Sequence, residues 1–445
     1  MRSLLEVLIL DFHRRLKEDA LPKPIPREVE LAFLPSKVDS VIGVRRGGKT
    51  WLLFQKIRNL LKEGVSPSSL LYINFEDERL LPISSEAMDL LLRTYYSLYP
   101  EMTKERKYFF LDEVQNVEGW EKFVRRIVDQ ENVHVVVTGS SSKLLSREIA
   151  TALRGRAIAT EVYPLSFREF LKFHGVEPPD PQRLDSSTRA VLSHEFRKYM
   201  EIGGFPEVQS FSDFDQLRTL QEYTRSIVLR DVAERHGLKN IAVLRTMVRY
   251  MLNNPATLFS ANKLFNYIRS LGMKVDKNFV YEAVEHLSDA YFLFLVCKHT
   301  WSEKAKQVSP SKLYLIDQGL IIANLKKPEP DWGRILENVV FLHLKREFLE
   351  VEYYRSEHSE VDFIVFDPIS RRKAAVQVSL SLEDNRTFRR ELKGLEEVLM
   401  KEIAPRALLL TGEDREEEHR IGKETIAVLP VWKFLLSPSH FLFYA

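Results

Sequence analysis

Two stretches of this 445-residue chain place reactive residue types at spacings that suit chemistry. In GVRRGGKT, Gly43 to Thr50, two glycines precede a Lys-Thr pair, between the apolar run VDSVIG and a pattern of helical period. Backbone amides of Gly43, Val44, Arg45, Arg46, Gly47 and Gly48 would wrap phosphate oxygens at a helix N-terminus, where partial positive charge gathers. Lys49 would reach the β and γ phosphates of a nucleotide, Thr50 would ligate Mg²⁺, and Trp51 ends the phosphate-binding stretch. The second stretch is EVDFIVFDPISRRKAAVQVSLS, Glu360 to Ser381. Asp362 opens one apolar run there, and Gln377 and Ser379 share the next, where a metal-dependent nuclease would carry an acid and a lysine.

A second signal supports the first stretch. KYFFLDEV ends a strand pattern with Asp112, suited to holding Mg²⁺ through water, and Glu113, suited to polarising an attacking water. Their separation from Lys49, about sixty residues with one strand between, fits the third strand of a phosphate-loop core. A solvated strand end is the competing reading of that pair. The next strand, VHVVVTGSSS, brings Thr138, Ser140 and Ser141, where a hydroxyl such as that of Ser140 would sense the terminal phosphate or cap a helix. Among Arg154, Arg156 and Arg230, Arg156 is the candidate guanidinium for transition-state charge, against a structural role.

These residues need strands that end together. VDSVIG, LLYINF, KYFFLD, VHVVVTG and AIATEVYPL are predominantly apolar and alternate with helical patterns, so they predict a parallel sheet covered by helices. From Ser166 the pattern is helical. From Ile241 it runs helix, FSANKLFNYIRS, DKNFVYEAVEHLSDA, YFLFLVCK and KLYLID, the order of a winged helix-turn-helix. The last unit reads helix, three strands, helix, strand, a charged loop EDREEEHR, strand and helix. The expected divisions are an N-terminal helix and linker (1–35), a phosphate-loop core (36–163), a helical lid (164–240), a winged helix (241–318) and a restriction-endonuclease-like domain (319–445).

Composition narrows the setting. Charged residues make up 29% and apolar residues 44%, with a net charge of only +2, a soluble globular balance that leaves nucleic-acid binding to local clusters. The single cysteine, Cys297, rules out a disulfide framework and a cysteine zinc site. LLEVLIL, near the N-terminus, is too short to span a membrane and too charged at its flank for a signal peptide. Its Leu4, Leu5, Leu8, Ile9, Phe12 and Leu16 instead mark one helix face, and a cytoplasmic location is expected.

The motifs GVRRGGKT, FLDEVQNVEGWEKFVRRI, VVVTGSS, LRGR and PLSFREFL, with IGGFPEV, YLIDQGL, LENVVFLHL and EVDFIV later, cover nearly the whole chain. In these the sequence resembles the archaeal and bacterial AAA-type ATPases that join a P-loop ATPase to a winged helix and a restriction-endonuclease-like domain. The resemblance implies a multidomain α/β protein that binds and hydrolyses ATP with Mg²⁺, using Lys49, Thr50, Asp112 and Glu113.

What the later units do stays open between readings. Lys277, Asn278 and Tyr281 on the second helix of the winged-helix pattern would meet DNA, with Val280, Ala283, Val284 and Leu287 turned to the core. Glu282, Glu285 and Asp289 on the same helix favour protein docking instead. In the last unit Glu337 and Asp362 match nuclease acids, Gln377 replaces the third, and Ser379 leaves the lysine to be supplied by Lys393, Arg386, Arg389 or Arg390. An ATP-driven motor on DNA, a protein-interaction switch and an ATP-coupled endonuclease are the three readings. DNA and further copies of the chain are candidate partners, and no membrane is expected.

Overall fold

The computed structural model describes residues 1–23, 25–80, 83, 85–139, 155–326, 329–422 and 424–444. They form two compact units, Met1–Tyr163 with Asp289–Tyr291, and Pro164–Ser288 with Phe292–Ala445.

Unit one is built on strands β1 (Val38–Gly43), β2 (Leu70–Asn74), β3 (Lys107–Asp112), β4 (Val133–Gly139) and β5 (Ala157–Val162). All pair in parallel, in the order β2-β3-β4-β1-β5. Every residue of β1 is buried, which is why its sequence does not alternate between apolar and polar. Among the described residues, α-helices α1 (Arg2–Lys17), α2 (Lys49–Lys62), α3 (Ser85–Leu98) and α4 (Trp120–Gln130) accompany the sheet. This is the helix-covered parallel sheet of a P-loop NTPase fold. Such sheets bind ligands beyond the carboxyl ends of their strands, and α2 starts there, directly after β1.

The segment expected as an N-terminal helix and linker belongs to this unit. Leu5, Ile9, Phe12 and Leu16 of α1 are buried, and the His13 ring bonds the Leu70 carbonyl at 2.8 Å. Farther on, Asp39 at the start of β1 accepts the Ala32 amide at 3.0 Å, the Phe33 amide at 3.2 Å and His134 Nε2 at 2.7 Å. A buried carboxylate must be hydrogen-bonded, so the chain before the sheet is pinned to it.

Unit two starts with helices Phe167–Phe173, Ser186–Ile202 and Asp213–Ser226, continues through a π-helical stretch Ile227–Glu234, and reaches helix Ile241–Leu252. A three-stranded antiparallel sheet follows, in the order β6-β8-β7: β6 (Thr257–Phe259), β7 (Leu293–Val296) and β8 (Ser311–Leu315). Helices Ala261–Ser270 and Lys277–Asp289 lie between β6 and β7 in the chain. After helices Gln318–Asn324 and Trp332–Glu347 comes a mixed six-stranded sheet, β13-β14-β12-β11-β10-β9. Its members are β9 (Glu350–Arg355), β10 (Glu360–Asp367), β11 (Arg372–Ser379), β12 (Ala407–Thr411), β13 (Glu417–Ile421) and β14 (Glu424–Pro430), with helix Asn385–Met400 between β11 and β12. The charged EDREEEHR, expected as a loop, contributes most of β13, an edge strand where charge discourages pairing with other chains.

Two loops of unit two lock together. Gly203 has φ +82, and a Cβ there would lie 2.2 Å from Asp317 Oδ1. Asp317 accepts the Gly204 amide at 2.6 Å and caps helix Gln318–Asn324 through the Gly319 amide at 2.8 Å. His343 makes a second link: its Nδ1 donates to the Val339 carbonyl at 2.9 Å, and its Nε2 accepts the Phe167 amide at 2.9 Å. That tautomer is neutral, and burial first, then the Arg346 charge, pushes its pKa down to about 3. A depressed histidine gives stability that is complete above the ordinary pKa near 6.5 and is lost as pH falls toward the folded value. His343→Gln keeps a donor and an acceptor without a titrating ring. Melting curves between about pH 6.5 and 4 are therefore expected to fall less steeply for this variant than for the wild type, whose loss is at most about 1.4 kcal/mol per pH unit from this group.

Candidate nucleotide site

The phosphate loop is shaped by contacts that leave little freedom. Gly43 ends β1 at φ +146, and a Cβ there would meet the Val162 carbonyl oxygen at 2.1 Å, so β5 can pass this close only beside glycine. Arg46 at φ 63 and Gly48 at φ 103 turn the chain into α2, with Gly48 as its N-cap. Lys49 is buried, and its Nζ donates to the carbonyls of Gly43 and Val44, both at 3.1 Å. The ammonium thus lies folded into the loop it would serve. Arg45 reaches Glu76 at 2.6 Å, and Trp51 is 46% exposed on the first turn of α2.

A second layer holds the loop from behind. Arg27, from the segment before β1, donates to the Gly47 carbonyl at 2.8 Å and to the Tyr163 carbonyl at 2.6 Å. Its backbone is tied to α2 by the Gln55 side chain, which accepts the Arg27 amide at 2.7 Å and donates to the Arg27 carbonyl at 3.1 Å. Nothing in the proline-rich sequence around Arg27 announces this role, because the partners are backbone carbonyls far away in the chain.

Asp112 and Glu113 sit at the carboxyl end of β3, beside the start of α2. Asp112 is buried; Thr50 and Tyr72 each donate to its Oδ2 at 2.9 Å, and Thr138 donates to Oδ1. Burial, then the neighbouring Glu113 charge, raises the Asp112 pKa, while the hydroxyls oppose that rise. Thr138 also accepts the Glu113 amide at 2.9 Å, and Glu113 adopts φ 54. That left-handed turn carries the Glu113 side chain out of the strand direction and onto Gln115 Nε2. The glycine-lined turn, the lysine inside it and the paired Thr50 and Asp112 oxygens fit a nucleotide with its divalent cation.

Other expected site residues fare differently. Ser140 lies outside the described residues, as do Ser141 and Arg154. Arg156 is corrected: Val38 pairs with Ala157 and Gly43 with Val162, so Arg156 stands at the opposite end of β1 from the loop. Six residues of strand put roughly 20 Å between them, and the Arg156 guanidinium pairs with Asp129. It is no arginine finger for its own loop.

In unit two, Lys277, Asn278 and Tyr281 are exposed on helix Lys277–Asp289, while Val280, Ala283, Val284 and Leu287 are buried. Glu337 and Asp362 do converge, joined by Glu360, and the cation among them is Lys312 of β8, which sequence reading did not single out. Burial works against that ammonium, but the three carboxylates outweigh it and hold its pKa well above the usual lysine value. Gln377 accepts the Asp362 amide at 3.0 Å and donates to Glu391 Oε2 at 2.7 Å. Ser379 bonds the Ser381 carbonyl at 2.9 Å. Of the basic residues expected to replace a lysine here, Arg390 pairs instead with Glu391 at 2.5 Å. Among the described residues, no helix is long and apolar enough to cross a membrane.

Comparison with known proteins sets these sites in context. Residues 35–171 match the AAA domain family AAA_14. Residues 193–331 and 332–434 match two domains of unknown function, DUF8612 and DUF4143. Among solved structures, a Walker-type ATPase of Pyrococcus abyssi aligns over 71% of this chain and 94% of its own, at 15% identity and TM-score 0.42. The Aeropyrum pernix ORC1 protein in complex with DNA aligns over 72% and 92%, at 15% identity and TM-score 0.29. At such scores these likenesses carry no argument about this chain. An uncharacterized Haemophilus influenzae protein is 30% identical over 87% of this chain and 92% of its own. The uncharacterized protein MJ1544 of Methanocaldococcus jannaschii is 37% identical over 98% of this chain and 96% of its own. This chain belongs to the family of AAA-domain proteins that includes MJ1544.

Proposed function

We propose that this protein binds ATP with Mg²⁺ at Gly43–Trp51, hydrolyses it, and uses the turnover to govern how its second unit engages DNA. The observation that carries the first part is the convergence of Lys49, Thr50, Asp112 and Glu113 at the carboxyl ends of one parallel sheet. Mg²⁺, when bound, would supply neutralisation of the phosphate charge. Thr50 and Asp112 are the residues that would hold it. Lys49 exchanges its two loop carbonyls for phosphate oxygens, and the loop amides orient the chain of phosphates. Glu113 takes the proton of the attacking water, and its φ of 54 keeps the carboxylate apart from the Asp112 hydroxyl cage.

Support for the DNA part is more local. The order helix, strand, two helices and two further strands, with a short helix Glu303–Val308 between those strands, suits a winged helix, and Lys277, Asn278 and Tyr281 offer a cation, an amide and a ring on one exposed face. The alternative reading is an ATP-dependent protein-interaction switch, which the acidic residues of the same helix favour.

Three outcomes are expected. Lys49→Ala abolishes ATP turnover, whereas Glu113→Gln retains ATP binding and loses roughly 10²- to 10⁴-fold in turnover; unchanged turnover in Lys49→Ala would overturn the proposal. Arg27→Ala removes charge-assisted bonds of about 1.5–3 kcal/mol, so both melting temperature and ATP affinity drop, with turnover at saturating ATP less affected. Lys277→Glu weakens mobility shifts on double-stranded DNA, and a flat response of the wild type to every DNA form would favour the protein-interaction reading.

A further inference from the structure

The acid cluster of unit two surrounds a side chain where a nuclease-like site would carry a metal. Lys312 is 3% exposed, and its Nζ lies 2.8 Å from Asp362 Oδ1, 2.9 Å from Glu360 Oε1 and 3.1 Å from Glu337 Oε1. It comes from β8, in the middle of the three-stranded sheet, and not from the sheet that holds Asp362. The pleat of β8 puts Tyr314 on the same side as Lys312, and the Tyr314 hydroxyl donates to Glu337 Oε1 at 2.6 Å.

The approach of the two sheets is fixed by backbone. Past β7, the Cys297 carbonyl accepts the Tyr353 amide at 3.1 Å and the His299 amide donates to the Tyr353 carbonyl at 2.7 Å, joining the small sheet to edge strand β9. Asn338 then mimics a peptide against β8, accepting the Leu315 amide at 2.8 Å and donating to its carbonyl at 2.9 Å. With both sheets held in this way, the ammonium has a defined seat.

That seat is incompatible with a metal. Mg²⁺ bridging Glu337 and Asp362 would need its oxygens at about 2.0–2.1 Å, in space the ammonium fills. Gln377 offers no further ligand, because its oxygen is engaged by the Asp362 amide and its nitrogen by Glu391, so a metal taking the place of Lys312 would rely on Glu337, Glu360 and Asp362. Among the described residues, no group of three His, Cys, Asp or Glu side chains is arranged to hold a metal.

We propose that Lys312 is the resident cation of this cluster, standing where a nuclease-like site would bind its metal, so that the site is closed to divalent ions and serves as a clamp between the two sheets. This goes beyond the ATPase reading and does not depend on it. A covalently attached ammonium does not vary in supply with the surrounding solution, so the clamp is permanently loaded.

The test uses the full chain without nucleotide, with MnCl₂ as the probe, followed by the free Mn²⁺ electron paramagnetic resonance signal. Wild type and Asp362→Asn are expected to bind Mn²⁺ equally. Lys312→Ala is expected to gain about one Mn²⁺ per chain, a gain lost again in Lys312→Ala/Asp362→Asn and absent in Lys312→Arg. If Lys312→Ala does not fold in chelator, refolding with Mn²⁺ decides the matter: a restored cooperative melt supports the proposal, and none overturns it. The proposal also fails if wild type binds an Mn²⁺ that Asp362→Asn removes, or if folded Lys312→Ala gains none.

Discussion

A buried carboxylate at the end of a strand is expensive to desolvate, and the nucleotide site is arranged around meeting that requirement at Asp112. Thr50, Tyr72 and Thr138 supply the hydroxyls, and they come from α2, β2 and β4 in turn. Each bond to Asp112 therefore also positions an element. Thr50 sets the first turn of α2 and with it Lys49; Thr138 holds the amide that turns Glu113 out of β3. Removing the Asp112 carboxylate group would leave three hydroxyls without their common acceptor and loosen the ends of three neighbouring elements together.

The second unit solves a similar problem with the opposite partner. Around Lys312 the buried charge is cationic, and its acceptors come from helix Trp332–Glu347 and strand β10. A buried ion group of this kind contributes little net stability compared with apolar packing, yet breaking one partner is costly because the others are left unpaired. Its use is to fix one arrangement of two sheets. The Asp317 contact with Gly203 and Gly204 does the same for two loops, through backbone amides in place of a counter-ion.

What the sequence made legible follows from the range of each interaction. GVRRGGKT and KYFFLDEV are local patterns whose chemistry sits within a few residues, and the strands around them are predominantly apolar, so the sheet and the positions of loop and acids are legible directly. Helix α1 was equally clear from its apolar face. Arg27 was hidden because its partners are carbonyls in other segments, and no periodicity marks it. Lys312 reads as the polar start of KLYLID, although a lysine in so apolar a strand is a signal. Arg156 was misplaced because order along the chain says nothing about which end of a parallel strand a residue occupies; the register of β1 with β5 does. EDREEEHR reads as a loop because an edge strand that keeps its charges looks like one.

The position of Arg27 bears on how portable the phosphate loop is. A module boundary drawn at the first strand of the sheet would seem natural, since every motif residue lies after it. Such a cut would discard the guanidinium that braces the Gly47 and Tyr163 carbonyls and the segment that satisfies Asp39. In this protein the loop depends on the segment from Arg27 to Phe33 ahead of the sheet, so moving the core into another chain without that segment would transfer the motif but not the support that shapes it.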